Sequence, residues 1–413
     1  MKTIYSALSL GILAIFSSAT HATTGYFMHG YGVKAQGNAG TSIANFNEAL
    51  TIASNPAGLS WVGQQVNVGA TVFAPDRSAN IQDSPQANGE YDANGREYFV
   101  IPEVAYSHPV NDQVAVGFAI YGNGGMNTSY KQSPFEKYGS TGPAGVNLSQ
   151  VFFSPAVAWK YAPNQSVAVA SNIMYQQFEA KGIDGFAQLS QDSSNLSNRG
   201  KDSSTGIGFK LGWSGQFFDD QLTLGAKYSS KVKAGTFDKY RGLFAESGGF
   251  DVPESYGVGA AFKLTPALTL AADVERINYS DIASVGNPLN LTQPLGTAQG
   301  AGFGWQDINI YKVGATYQAT PKLSLRAGYS HNDQPIKADQ TFLNILAPGV
   351  VQDHLSLGAT WLIDTHQDVS IAYTRALEKE VKGQNSIPAN FGGGNSNLKM
   401  NQNILGLAYS YKF

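Results

Sequence analysis

The sequence predicts an all-β chain: a 14-stranded antiparallel transmembrane β-barrel with an N-terminal hatch inside the lumen. Three observations predict it. First, the chain alternates to its last residue: Leu405, Leu407, Tyr409, Tyr411 and Phe413 share one parity, and Gly406, Ala408, Ser410 and Lys412 share the other. Successive strand side chains point to opposite faces, so this segment has one greasy face and one small or polar face, as a barrel's closing strand requires. Second, comparable segments recur along the chain, joined by connections that are short and long in strict turn. Third, Gly (46), Tyr (21) and Phe (22) are abundant while only 14% of residues are charged, the balance that lipid-facing strands with aromatic girdles need.

The elements follow in order. Lys2, the apolar stretch Ala7 to Phe16 and the small residues around His21 in Thr20-His21-Ala22 read as a secretory signal peptide over residues 1–22, with Thr23 as the mature start. The apolar run is too short for a membrane anchor. Roughly 390 residues then remain, ordinarily enough for two or three soluble domains. The composition fits one large barrel better. A net charge of −3 is too small to imply a nucleic-acid or acidic-lipid partner, and the absence of cysteine excludes disulfides, thiol catalysis and cysteine metal sites.

Residues 23–63 break the barrel pattern. They are rich in Gly, Ala, Asn and Ser, yet Tyr26, Phe27, Met28, Tyr31, Ile43, Phe46, Leu50 and Ile52 are too many apolar groups for a solvated tail. A plug folded into the lumen accounts for both features, the alternative being a disordered leader. The barrel is expected over 64–413. Its strands are expected at 64–74, 98–109, 113–121, 149–161, 165–179, 204–217, 220–233, 254–263, 268–279, 305–319, 322–331, 352–363, 366–380 and 400–412. In several the alternation is plain, as in Val66, Val68, Ala70 and Val72 against Asn67, Gly69 and Thr71, or Leu355, Leu357, Ala359 and Trp361 against Ser356, Gly358 and Thr360. Merging one hairpin would give about twelve strands. Short turns such as Ala162-Pro163-Asn164 and Thr265-Pro266-Ala267 are expected on the periplasmic side, and the long connections outside.

Read with these stretches in their order and spacing, the chain resembles the FadL/TodX family of outer-membrane transporters for long-chain fatty acids and hydrocarbons. The resemblance rests on the Gly-rich segment ending in Asn55-Pro56-Ala57 just before strand one, Ile101-Pro102-Glu103, Pro109-Val110-Asn111-Asp112-Gln113, Tyr228-Ser229-Ser230-Lys231-Val232-Lys233, Val252-Pro253-Glu254-Ser255-Tyr256, and Gly328 to Pro335. It implies passive uptake of hydrophobic compounds: capture by extracellular loops, release governed by the hatch, and lateral exit through a kink in strand three. Each methylene buried along such a path returns roughly 0.8 kcal/mol.

On that reading Tyr26, Phe27 and Met28 form the hatch tip, and Gly122, Gly124 and Gly125 mark the kink. Tyr121, Asn123 and Met126 are further ligand contacts near the kink, and Phe135 and Tyr138 belong to the outer groove. Lys181, Lys227, Lys231 and Arg326 are candidate partners for a carboxylate ligand, unless they pair with lumen acids such as Asp273 and Glu275. Asn55, Pro56 and Ala57 tie the hatch to the wall. Family members for fatty acids carry polar groups near the kink, where this chain has glycines, so a neutral hydrocarbon or aromatic ligand stays open. No cofactor, metal or catalytic residue is expected. His331 with Asp333 is the only tempting catalytic pair, and a loop turn explains it. A general porin for hydrophilic solutes is the alternative function. Expected surroundings are outer-membrane lipid, lipopolysaccharide and the barrel assembly machinery, which would read the strand ending at Phe413.

Overall fold

Period-two alternation becomes fourteen long strands because each can bury small side chains inside the ring and leave large apolar ones outside. In the computed structural model residues 24–413 are described, so the signal peptide and Thr23 lie outside the described residues. The barrel strands are β1 (Gln65–Gln82), β2 (Phe99–Pro109), β3 (Val114–Asn127), β4 (Gly145–Ala162) and β5 (Gln165–Lys181). Next come β6 (Asp202–Phe217), β7 (Leu222–Ser229), β8 (Ser255–Thr265), β9 (Leu268–Ile277) and β10 (Ile308–Thr320). The ring ends with β11 (Leu323–Asn332), β12 (Asp353–Leu362), β13 (Gln367–Val381) and β14 (Asn395–Lys412). Every strand pairs antiparallel with the next, and β1 closes on β14 from Gln65 opposite Lys412 to Gln82 opposite Asn395. No edge is left. The C-terminal parity holds: Leu407 is 53% exposed on the outer face, while Ser410 is fully buried inside.

Several strands run further at the long-loop end than the alternation indicated. β1 continues past 74 to Gln82, and a short strand, Gly89–Asp92, folds back on it. β3 reaches Asn127 instead of 121, β5 reaches Lys181, and β14 starts at Asn395 instead of 400; β7, by contrast, stops at Ser229. Beyond the lipid there is no apolar environment to impose alternation, so residues such as Ser78, Asn80, Asn395 and Asn397 extend the sheet without the signal. Pro75 also argues against a strand. It is tolerated because the β2-facing edge of β1 is unpaired between Phe73 and Ser78.

Residues 24–62 fill the lumen, built from single turns at Val33–Gln36 and Thr51–Ser54 and a 3₁₀ turn at Pro56–Ser60. Such short helices have no stability of their own. The wall holds them instead. Glu103 on β2 accepts from the Gly32 and Val33 amides at 3.2 and 3.1 Å. Asp273 on β9 accepts from Ser42 and Ile43 at 2.8 and 3.0 Å. Lys34 reaches Asp368 on β13 at 2.9 Å, and Trp61 Nε1 donates to Ser214 on β6 at 2.7 Å. Inward-facing glycines give the hatch backbone its berth: a methyl added at Gly358 would lie 2.9 Å from the Gly37 Cα. Above the hatch the long loops continue the same apolar core as the hatch tip, including Phe237, Phe244, Phe250, Phe342 and Ile345, all buried.

Candidate functional site

The loop core is not solid. A small apolar cavity of ≈ 40 Å³ lies among the long loops, well below the size of an ordinary small-molecule site. Val146 on β4 and Phe178 on β5 supply its strand-borne wall. The loops add Ile183, Phe186, Leu196, Leu243, Phe244, Leu295, Phe303, Leu343 and Leu346, with Ser284 as the only polar side chain. Phe135 and Tyr138, expected in the outer groove, pack behind this lining. The Phe135 ring stands 5.4 Å from Phe186, and Tyr138 stands 5.5 Å from both Phe342 and Phe391.

An aromatic column joins the cavity to the hatch tip. Phe244, in the lining, is 4.9 Å from Phe250, which is 6.0 Å from Tyr26. Tyr26 also packs on Tyr279 at 5.2 Å and on Trp305 at 6.0 Å. Phe27 meets Tyr26 edge to face at 5.2 Å, and Met28 is buried beside them. The Tyr279 hydroxyl fixes this tip, donating to the Thr24 carbonyl at 2.6 Å and accepting from the Tyr26 amide at 3.3 Å.

The tip is bonded to an irregular stretch of wall. Along β3 the register against β4 slips between Gly122 and Gly124, which leaves Asn123 as the extra, bulged residue. The β2–β3 ladder stops at Val104 opposite Ile120. The wall rejoins higher up, where the Gly95 amide donates to Ser129 O and the Ser129 amide to Ala93 O, both at 2.9 Å. Between these points the free edge of β3 is taken by the hatch. The Met28 amide donates to Asn123 O at 3.0 Å and the Gly125 amide to Tyr26 O at 2.9 Å. Gly124 has no room for a Cβ against the Tyr26 carbonyl. Tyr121 and Met126 are buried nearby, and Tyr31 donates to Asn123 Oδ1 at 2.9 Å while its ring lies 4.9 Å from Tyr121.

At the other end of the hatch, Asn55 Nδ2 donates to Ile43 O at 2.7 Å and to Trp213 O on β6 at 3.0 Å, while its Oδ1 caps the Ala57 amide at 3.1 Å. Pro56 opens the 3₁₀ turn that this cap begins.

The cations expected to meet a carboxylate are not brought to the cavity. Lys181 lies on the outer rim, paired with Glu179 at 3.1 Å. Lys227 is buried against Glu275, which Lys312 on β10 also approaches at 3.4 Å. Lys231 donates to Asp281 O at 2.9 Å, and Arg326 Nη1 to Thr360 Oγ1 at 2.7 Å. Of the two lumen acids, Glu275 takes cations, whereas Asp273 is spent on hatch amides. His331 pairs with Asp353 at 2.8 Å rather than with Asp333, which instead accepts from the Asn309 amide and Nδ2. Sequence reasoning missed the loop residues of the lining, together with Tyr279 and Trp305. Their aromatic character was visible, but loop folding follows no period. It also missed Lys210, whose Nζ donates to the hatch carbonyl of Ala53 and lies 3.3 Å from the Tyr121 hydroxyl.

Comparison with known proteins places this geometry. Residues 14–413 match the family described as outer membrane protein transport protein (OMPP1/FadL/TodX). A Neisseria meningitidis serogroup B chain described as an outer membrane protein is 24% identical over 468 residues, covering 99% of each chain. The crystal structure of a Pseudomonas aeruginosa FadL homologue superposes with a TM-score of 0.72 at 17% identity, covering 94% of this chain and 100% of that one. The Pseudomonas putida toluene transporter TodX gives 0.69 at 16% identity, covering 93% and 99%. The Ralstonia pickettii toluene transporter TbuX gives 0.65 at 16% identity, with the same coverage.

Proposed function

The chain belongs to the OMPP1/FadL/TodX family of outer-membrane transport proteins, and from that premise we propose a passive channel for hydrophobic compounds with a gated lateral exit. The family consists of transport channels rather than enzymes. The extracellular loops part around the small apolar cavity to capture a ligand, which then moves down the aromatic column. There it displaces Tyr26 and Phe27, and it leaves through the interval between β2 and β3 into the outer leaflet. The observation that carries this reading is the pairing of the hatch tip with the free edge of β3: one displacement opens both the cavity floor and the wall. Straight passage downward is disfavoured, because the lower lumen is lined by polar groups such as Gln65, Asn67, Ser166 and Ser214 and filled by the hatch. Burial in the cavity and then in lipid keeps the ligand out of periplasmic water throughout.

On this reading residues 1–22 are a cleaved signal, 23–63 the hatch and 64–413 the barrel. The outer aromatic face meets lipid and lipopolysaccharide, and the strand ending in the exposed Phe413 is the segment read by the barrel assembly machinery. The test is uptake of labelled toluene and labelled oleate by cells carrying wild type or a Tyr26→Ala/Phe27→Ala variant at equal barrel levels. Saturable uptake of either compound, altered in the variant, is expected. Entry of small sugars with neither compound entering faster than in empty cells would establish the porin alternative instead.

A further inference from the structure

We propose that Gln150 on β4 and Gln176 on β5 are positioning residues that tie the bulge in β3 to the extracellular loops, so that parting of the loops loosens the lateral exit; the inference rests on the channel reading above. The bulge begins a row of side chains. Gly124, Gln150, Gln176 and Ser204 are successive register partners across β3, β4, β5 and β6. Gly124 has no side chain, and the extra residue Asn123 supplies the missing one. Asn123 Nδ2 donates to Gln150 Oε1 at 3.3 Å and Gln150 Nε2 to Gln176 Oε1 at 3.0 Å. Gln176 Nε2 then donates to Ser204 Oγ and to the Phe250 carbonyl, both at 2.9 Å. At the other end the Tyr31 hydroxyl of the hatch donates to Asn123 Oδ1 at 2.9 Å. These bonds all point the same way, from hatch to loop, an arrangement in which each polarises the next.

Packing alone does not call for amides here. The inward neighbours of the two glutamines along their strands are Leu148 and Phe152 on β4 and Met174 and Phe178 on β5, all buried and apolar. Gln150 and Gln176 are themselves fully buried, so each amide must find partners or incur the cost of an unpaired polar group. The partners they find are the parts of the channel that must move. Phe250 lies in the loop between β7 and β8, its ring 4.9 Å from Phe244 of the loop cavity and 6.0 Å from Tyr26 of the hatch tip. Asn123 carries the backbone carbonyl that takes the Met28 amide at 3.0 Å. When a ligand parts the loops and Phe250 shifts, Gln176 loses its acceptor, the row slackens, and Asn123 is released together with its bond to the hatch. A loop movement at the cell surface is thereby felt at the interval between β2 and β3 before the ligand reaches it.

The experiment measures amide exchange in residues 24–31 and 121–128 of the full chain in lipid nanodiscs, without ligand and with toluene or oleate as probe. Uptake of the same labelled probes by cells is measured beside it. With a probe that is taken up, wild type should exchange about fivefold faster in both segments, the worth of one buried hydrogen bond. Gln150→Met and Gln176→Met keep the volume and remove the amide. Each should exchange at the faster rate without probe and gain less than about twofold from it. Because the row acts as one unit, the double variant should exchange no faster than either single variant. Gln176→Asn keeps an amide too short to reach Gln150 and Phe250 together. It should also lose the probe response, and it serves where a methionine variant does not fold. A wild-type response retained in these variants overturns the proposal, as does a double variant showing the product of the single effects. Uptake of a probe that leaves wild-type exchange unchanged overturns it too. If neither probe enters faster than in empty cells, the channel reading itself fails.

Discussion

His29 sits on the hatch two residues from Phe27, its ring stacked on His354 of β12 at 5.3 Å and its Nε2 3.3 Å from the Ser356 hydroxyl. Burial, then the neighbouring His354 and Lys312, hold its imidazole well below the ordinary range. The seated hatch therefore keeps His29 neutral, while a withdrawn hatch lets it titrate near its usual value of about 6.5. Above that value seating is indifferent to this group. As pH falls below it the withdrawn state gains a proton that the seated state refuses, so seating weakens toward the depressed value. Amide exchange across residues 26–36, corrected for intrinsic rates, should be faster at pH 5.0 than at pH 7.5, and His29→Phe should flatten the difference. Asn55 makes the opposite contribution, as a fixed polar rivet. Asn55→Ala removes two donor bonds and one cap and strands buried carbonyls, at a cost of about 2–4 kcal/mol in hatch docking. Proteolysis within the hatch at an unchanged barrel checks it.

At the level of elements, β3 is the strand whose irregularity has consequences. Asn123 is the residue by which β3 exceeds β4, so deleting it removes the bulge and lets β3 pair further along β2. The deletion should leave a folded, heat-modifiable barrel and lower hydrocarbon uptake at least tenfold; uptake at wild-type rate would mean that the interval in the β2–β3 ladder is not the exit. The run Gly122-Asn123-Gly124-Gly125 made an irregularity in β3 legible in the sequence, because glycine tolerates broken pairing, and the structure has a one-residue bulge there. That hatch backbone takes the vacated edge was not legible. Residues 26–28 have no alternation of their own and form only an isolated bridge, Phe27 opposite Gly124, because β3 offers an unpaired edge.

For the whole molecule, stability rests on closure and on polar ties across the lumen, since no disulfide is available. Lys227, Glu275 and Lys312, on β7, β9 and β10, form a buried ionic cluster at the hatch level. Removing the shared carboxylate leaves two buried ammonium groups uncompensated, so Glu275→Ala should cost on the order of 3–5 kcal/mol. Lys312→Met alone should cost less, because Lys227 still neutralises Glu275. The temperature at which the folded barrel loses its fast electrophoretic mobility reports both.

What the sequence determined by itself is whatever lipid enforces. Large apolar groups must face hydrocarbon and small or polar ones the lumen, so Leu405 to Phe413 and its counterparts announce the strands, and the alternating turns announce their order. The surplus of aromatic residues over 23–63 announced a plug by the same reasoning. Tertiary structure alone decided the rest. Which loop residues converge on one cavity, which acid takes a cation and which takes hatch amides, and where β3 parts from β2 all depend on contacts between residues far apart in the chain. Asp273 and Glu275 are two residues apart and share a parity, yet one holds the hatch and the other two lysines. Parity fixes the face a side chain occupies, but its partner is fixed by what the fold brings across the lumen.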